Sequence, residues 1–287
     1  MNAVPRVLSV AGTDPTGGAG IQADLKAIAA LGGYGMAVVT ALVAQNTMGI
    51  RAVHAPPVEF LRRQLDGVCD DVEVDAVKLG MLFDTAIVET VADWLGRVRP
   101  PALVVDPVMV ATSGDRLLLP EAEAALMRLL GEVESDVLVT PNLPELAVLA
   151  SAAPARTESD LSDQARVVAS AYGVRVLAKG GHLDADHSDD VLVAPDGTTT
   201  AIPGRRVATR HTHGTGCSLS AAVATARVRH GSWEPAVREA KAWLTESLQA
   251  AGTLHVGRGR GPISHFAGLW SRAGTYAPPP VTGRPID

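Results

Sequence analysis

From residue 6 to residue 179, short β-branched and apolar runs alternate with longer stretches whose apolar positions recur at helical spacing. Such alternation predicts an α/β fold, a mostly parallel central sheet flanked by helices on both faces. The predicted strands are 6–10, 36–42, 76–79, 102–105, 137–139 and 175–178, and the predicted helices are 21–31, 58–68, 85–98, 121–130 and 159–172. After Asp189 the pattern changes: VLVAPDG followed by TTTAIP reads as two strands about a Pro-Asp-Gly turn, a small β-hairpin at one end of the sheet. Two further helices follow, one opening near Gly214 and one over 233–251. No linker or repeat interrupts the series, so residues 1–270 read as one domain. Residues 271–287 are rich in proline and small polar residues and read as a flexible tail.

In an open α/β sheet, ligands sit beyond the carboxyl ends of the strands. There the sequence delivers Asp14, Gln45 with Asn46, Lys78, Asp106, Asn142 with Glu145, and Lys179. Core packing has no need of such a concentration of polar groups. Composition narrows the partners further. Net charge is −6 and aromatics are 3% of the chain, which argues against nucleic acid, whose binding draws on cationic grooves and stacking rings. No apolar run approaches the roughly 20 residues of a membrane span, and the N-terminus lacks a leader pattern. Two cysteines, Cys69 and Cys217, lie far apart without metal or disulfide spacing, so a reducing, cytoplasmic setting is expected.

Five segments carry candidate chemistry. In HTHGTGCSLS a glycine turn meets a helix start, where unpaired N–H groups at Gly214, Thr215 and Gly216 suit an anion such as phosphate. The plain alternative is an ordinary helix start. Cys217 lies in the first turn, where the helix end is expected to lower its thiol pKa; Cys69 reads as a core residue. The segment AGTDPTGGAGIQADLKA is again strand, glycine turn and helix, but fits neither GxGxxG nor the P-loop, and the chain has no Gly-Lys step. Asp106 in VVDPVMVATSGDRLL and Glu145 in VTPNLPELAVL are carboxylates at strand mouths, suited to Mg²⁺. For Asn142 and Glu145, three apart, helix capping competes and, taken alone, is the first account. Lys179 in LAKGGH would be a further cation for phosphate. His211 and His213 have no carboxylate at ligand spacing and read as hydrogen-bonding scaffold. The polar run HLDADHSDD reads as a mobile loop.

Taken together, AGTDPTGGAGIQADLKA, TALVAQNTMG, KLGML, DPVMVATSGDRLL, TPNLPE, KGGH and HTHGTGCSLSAA closely resemble the hydroxymethylpyrimidine/phosphomethylpyrimidine kinases of thiamine biosynthesis, within the ribokinase-like superfamily. The match runs in order as far as GPISHF. The resemblance implies a ribokinase-like domain that moves the γ-phosphoryl group of ATP to 4-amino-5-hydroxymethyl-2-methylpyrimidine and then to its monophosphate. Carried over by motif, Gln45, Ala19, Asp24, Val43, Met81 and Val108 would form the pyrimidine site. Gly214, Thr215 and Gly216 would cradle the transferred phosphoryl group, Asp106 and Glu145 would place Mg²⁺, and Lys179 and Asn142 would serve the nucleotide. The wider superfamily has an aspartate where this chain has Cys217, which becomes the candidate proton acceptor. The family also implies a homodimer.

Two other readings compete. A pyridoxal or pyridoxine kinase shares the fold and the chemistry, but Gln45 can both donate to a ring nitrogen and accept from an exocyclic amine, an edge that pyridoxal lacks. A non-catalytic pyrimidine- or nucleotide-binding descendant would have had no need to keep Asp106, Glu145, Lys179 and the whole GTGC loop.

Overall fold

A computed structural model describes residues 3–110, 116–181 and 187–274. The elements in chain order are β1 (Arg6–Ala11), α1 (Gly20–Ala30), β2 (Tyr34–Val39), β3 (Leu42–Asn46), β4 (Gly49–His54), α2 (Val58–Cys69), β5 (Ala76–Leu79), α3 (Thr85–Val98), β6 (Leu103–Val105) and α4 (Pro120–Glu132). They continue with β7 (Val137–Val139), α5 (Leu143–Leu149), α6 (Glu158–Tyr172), β8 (Arg175–Lys179), β9 (Asp190–Val193), β10 (Thr199–Ile202), α7 (Thr215–His230), α8 (Trp233–Gln249) and α9 (Ala267–Arg272). The main sheet has the order β10-β9-β8-β7-β6-β5-β1-β2. Its pairs are parallel from β2 through β8, and β9 and β10 add the expected antiparallel hairpin at one edge.

Strand side chains alternate between two cores, as a pleated sheet requires. In β6, Leu103 and Val105 join the core built with α2 to α6, whereas Val104 joins the core under α1, α7 and α8; β7 repeats this with Val137 and Val139 against Leu138. By the same alternation Ser9 and Lys78 point at the α1–α7 layer. With so few aromatics, the cores are mainly Ala, Val and Leu with some Ile, and Trp94 is the one aromatic among the largest fully buried side chains. Helix α7 packs against α1, α8 and the sheet, so every residue from Ser218 to Ala226 is buried and nearly all are small. That explains its lack of a polar face.

One predicted strand is corrected. Residues 36–42 are not continuous: β2 ends at Val39, Thr40 turns its hydroxyl onto the Met81 carbonyl, and β3 leaves to pair antiparallel with β4 in a separate two-stranded sheet. The tail reading is shortened too, since α9 runs through Arg272, and residues 275–287 lie outside the described residues. Residues 182–186, within the polar run expected to be mobile, also lie outside them, as do residues 111–115 of the Asp106 segment. Among the described residues no helix is long and apolar enough to cross a membrane.

Candidate active site

Strand β1 has β2 on one side and β5 on the other, so the chain reverses its direction of winding there. The crevice at such a switch point is where an α/β sheet accommodates ligands. Just past β1, the carboxylate of Asp14 organises the glycine turn. It accepts from the Thr16, Gly18 and Ala19 backbone N–H groups at 2.9, 3.1 and 2.8 Å and from the Thr16 hydroxyl, and it meets His213 Nε2 at 2.7 Å. Burial opposes its charge, but the bonds from His213 and Thr16 outweigh burial and hold the carboxyl down near about 2. His213 is thus the scaffold expected of it, and its partner comes from the opposite end of the chain.

The contact locks two glycine loops together. Gly214 adopts φ +75°, and a Cβ there would collide with the Gly18 carbonyl oxygen. Gly20, at φ +56°, is pressed in the same way against the Gly12 carbonyl. Only glycine meets both the left-handed backbone and the close approach.

Beyond β6, β7 and β8 the charged residues converge. Lys179 Nζ donates to Asp106 Oδ1 at 3.2 Å, with Asp106 almost wholly buried. A Cβ at Gly216 would lie 3.3 Å from Asp106 Oδ2 and 3.4 Å from Lys179 Nζ, so the start of α7 abuts this pair. Asn142 and Glu145 form a complete capping box: Asn142 Oδ1 accepts from the Glu145 N–H at 3.0 Å, and Glu145 Oε2 accepts from the Asn142 N–H at 2.9 Å. Capping and site are not alternatives here, because both residues also line the cavity described below. Burial pushes the Glu145 carboxyl up to about 7; Lys179 opposes that and Asp106 reinforces it. Two enclosed carboxylates in mutual repulsion fit a hard divalent cation that takes its other ligands from water and phosphate. Among the described residues no cluster of three or more His, Cys, Asp or Glu forms a closed metal cage.

One cavity of about 860 Å³ joins these groups. Its walls include Ala19, Val43, Gln45, Met81 and Val108, and also Asp106, Asn142, Glu145, Lys179 and the Gly214–Cys217 loop. Gln45 follows a register shift in β3, and Val43 is anchored by its N–H to the Thr13 hydroxyl at 2.9 Å. Asp24 is not among the lining residues, contrary to its place in the expected pyrimidine site. Its carboxylate is fully buried, accepting from Lys78 Nζ at 2.8 and 3.0 Å and from the Ser9 hydroxyl at 2.6 Å. Lys78, at a strand end by sequence, is likewise wholly enclosed. Burial favours its neutral form, yet Asp24 more than offsets this and keeps it charged.

Cys217 lines the cavity, but its expected low pKa is reversed. Burial pushes the thiol up to about 11; Lys78 pulls the other way, and Asp24 and Asp106 add to the rise. Burial and the two carboxylates thus hold the partly buried thiol up.

Residues 14–264 match the family model for phosphomethylpyrimidine kinase. The chain belongs to the phosphomethylpyrimidine kinase family. It is 50% identical over 264 residues to the hydroxymethylpyrimidine/phosphomethylpyrimidine kinase of Escherichia coli K12, covering 92% of this chain and 98% of that one. It is 52% identical over 273 residues to the thiamine biosynthesis multifunctional protein of Corynebacterium glutamicum, covering 95% of this chain and 35% of that protein. The chain therefore spans about a third of that relative's length. Among solved structures, the phosphomethylpyrimidine kinase of Clostridium difficile 630 matches with a TM-score of 0.73 and 34% identity over 85% of this chain and 99% of that one. The ADP complex of Bacillus subtilis pyridoxal kinase matches with a TM-score of 0.83 and 30% identity over 93% and 99%. The ribokinase-like architecture expected from the motifs is the one observed.

For a phosphomethylpyrimidine kinase family member of net charge −6, the cavity is notably cationic. Lys241, Arg205, Arg206, Arg210 and Arg260 all line it, and none of them stands in a motif that marks the site in the sequence. Arginines scattered over a charged surface carry no periodicity that would single them out. The glycine-spaced run GRGRGP around Arg260 was the one local sign available.

Proposed function

We propose that this chain transfers the γ-phosphoryl group of ATP to 4-amino-5-hydroxymethyl-2-methylpyrimidine and then to the resulting monophosphate, in thiamine biosynthesis. The observation that carries this reading is one cavity bounded by Gln45 and by the Gly214–Cys217 loop, with Asp106, Glu145 and Lys179 along its wall. The family and its 50% identical relative support it.

In this reading the amide of Gln45 pairs with the ring nitrogen and exocyclic amine, while Ala19, Val43, Met81 and Val108 enclose the ring. The hydroxymethyl oxygen attacks the γ-phosphorus, and the β–γ bridging bond breaks with its electron pair leaving on ADP. The N–H groups of Gly214, Thr215 and Gly216 receive the transferred phosphoryl oxygens, as helix starts receive anions. Lys179 exchanges Asp106 for an ATP phosphate oxygen, and Asn142 borders the nucleotide. A bound Mg²⁺, held by Asp106 and Glu145 directly or through water, supplies charge neutralisation on the phosphates. Cys217 faces the acceptor as its proton acceptor. With the resting thiol neutral, a loose transition state lets proton departure come late, so positioning and charge neutralisation carry most of the rate.

The same reading places the enzyme in the cytoplasm, where ATP and a reduced Cys217 coexist. It works there as a homodimer. The exposed apolar residues Leu42 of β3 and Met48 of the β3–β4 turn, with Phe60 of α2, support a second copy as their cover.

The test is Mg²⁺-dependent ADP release with the pyrimidine alcohol, its monophosphate and pyridoxal under one set of conditions. Higher kcat/KM for the pyrimidines is expected, with selective loss of that preference in Gln45→Leu. Comparable or better turnover of pyridoxal would overturn the substrate, and no ADP release at all would leave the binding-only reading standing.

A further inference from the structure

The segment from Val256 to Pro262, VGRGRGP, binds two parts of the cavity wall to each other. On one side Gly259 N–H donates to Thr47 Oγ1 at 3.1 Å, and a Cβ at Gly257 or Gly259 would collide with Thr47. Thr47 lies in the β3–β4 turn, two residues beyond Gln45. On the other side the Gly261 carbonyl accepts from the His213 N–H at 3.1 Å, and Gly261 is pressed against the His211 ring. The three glycines at alternate positions are what permit this double contact. Between the two anchors, Arg260 lines the cavity and is exposed.

Most other cations of that wall are already engaged. Lys179 pairs with Asp106, Lys241 with Asp190, and Arg116 with Glu123, while Arg206 donates to the Gly181 and His187 carbonyls. Arg205 sits beside the Ser188 segment, where the Ser188 N–H donates to the Gly204 carbonyl, and Arg210 precedes His211. Arg260 is the cavity-lining cation whose neighbour Gly259 is bonded to the turn that follows Gln45. Among the described residues it has no carboxylate or carbonyl partner.

We propose that Arg260 is a specificity residue for a phosphorylated acceptor, donating to the phosphomonoester of a heterocycle whose ring is held at Gln45. The inference rests on the kinase reading above and deepens it. The alcohol brings no charge into the cavity, whereas its monophosphate brings a dianion. Arginine's fixed fork of donors suits such a group. In the second transfer an acceptor phosphate oxygen forms the new bond to the γ-phosphorus and ADP departs with the β–γ electron pair. Arg260 supplies the countercharge through both the bound and the transferring arrangement.

The experiment compares wild type, Arg260→Ala, Arg260→Lys and the neighbouring Arg258→Ala, a site outside the cavity wall. Initial rates are measured with the alcohol and with the monophosphate, and calorimetry follows monophosphate binding without nucleotide. Arg260→Ala is expected to raise KM and Kd for the monophosphate about 10–100-fold, the range of a lost charge-assisted hydrogen bond, and to change KM for the alcohol less than about threefold. Lysine should restore part of the loss, and Arg258→Ala should match wild type on both substrates. Equal effects of Arg260→Ala on the two substrates, or none on the monophosphate, would overturn the assignment while leaving the kinase reading intact. A wild-type protein that phosphorylates neither pyrimidine would overturn both.

Discussion

The buried pair Asp24–Lys78 offers the sharpest test of how the site is supported. Both side chains are completely inaccessible, and the carboxylate's partners are Lys78 at 2.8 and 3.0 Å and Ser9 at 2.6 Å. Lys78→Met strands a carboxylate with one hydroxyl, and Asp24→Asn strands an ammonium. Each is expected to cost about 3–5 kcal/mol, because an uncompensated charge remains in the interior. At roughly 2–4 °C per kcal/mol for a chain of this class, that is a drop in Tm of roughly 6–20 °C. The double variant Asp24→Asn/Lys78→Met removes both charges and keeps a donor and acceptor for Ser9. Its cost should fall short of the sum of the singles by several kcal/mol, the coupling energy of the pair. Urea unfolding followed by far-UV circular dichroism gives the four values, with KM for the pyrimidine alcohol measured alongside. If Asp24→Asn cost less than about 1 kcal/mol while KM rose tenfold or more, the carboxylate would be a substrate contact and the structural assignment wrong.

Two other outcomes follow from the same geometry. Cys217→Ser should lower kcat about 10²–10⁴-fold, the contribution of a positioned proton acceptor, with KM little changed; near-normal turnover and an unaltered pH profile would remove Cys217 from that role. His265 is buried against Ser218, its Nε2 2.9 Å from the hydroxyl, and burial, with the charge of Lys26 adding to it, holds its pKa down to about 3. The unfolded chain binds a proton at this residue near pH 6.5 that the folded chain refuses, so stability is complete above that pH and declines as pH falls toward 3, by up to about 1.4 kcal/mol per pH unit. Denaturant midpoints of wild type and His265→Gln between pH 7 and 4 check this: the two curves should differ in slope below pH 6.5, and parallel curves would contradict it.

What the sequence determined by itself was whatever depends on near neighbours. Mostly apolar runs of three to five residues flanked by helical spacing were enough to place β1, β5, β7 and β8, because each strand's burial on two faces is written into its own residues. The capping of α5 was legible for the same reason, with Asn142 and Glu145 three positions apart. The motifs around Asp106, Lys179 and Gly214 placed polar groups at one sheet edge, and their order along the chain resembled one family. The tertiary structure decided everything that hangs on distant partners. It broke the strand read at 36–42, since Thr40 bonds across to Met81 and β3 finds its own partner in β4. It withdrew Asp24 from the cavity wall, since the ammonium that claims it arrives from β5, 54 positions away. It turned Asp14 into a clamp through a histidine 199 positions away, and raised the Cys217 thiol where its helix position alone argued for lowering. Hydrophobic pattern and helix ends act over a few residues, whereas burial and charge pairing are properties of the packed interior. The latter exist only once the sheet has closed over α1 and α7.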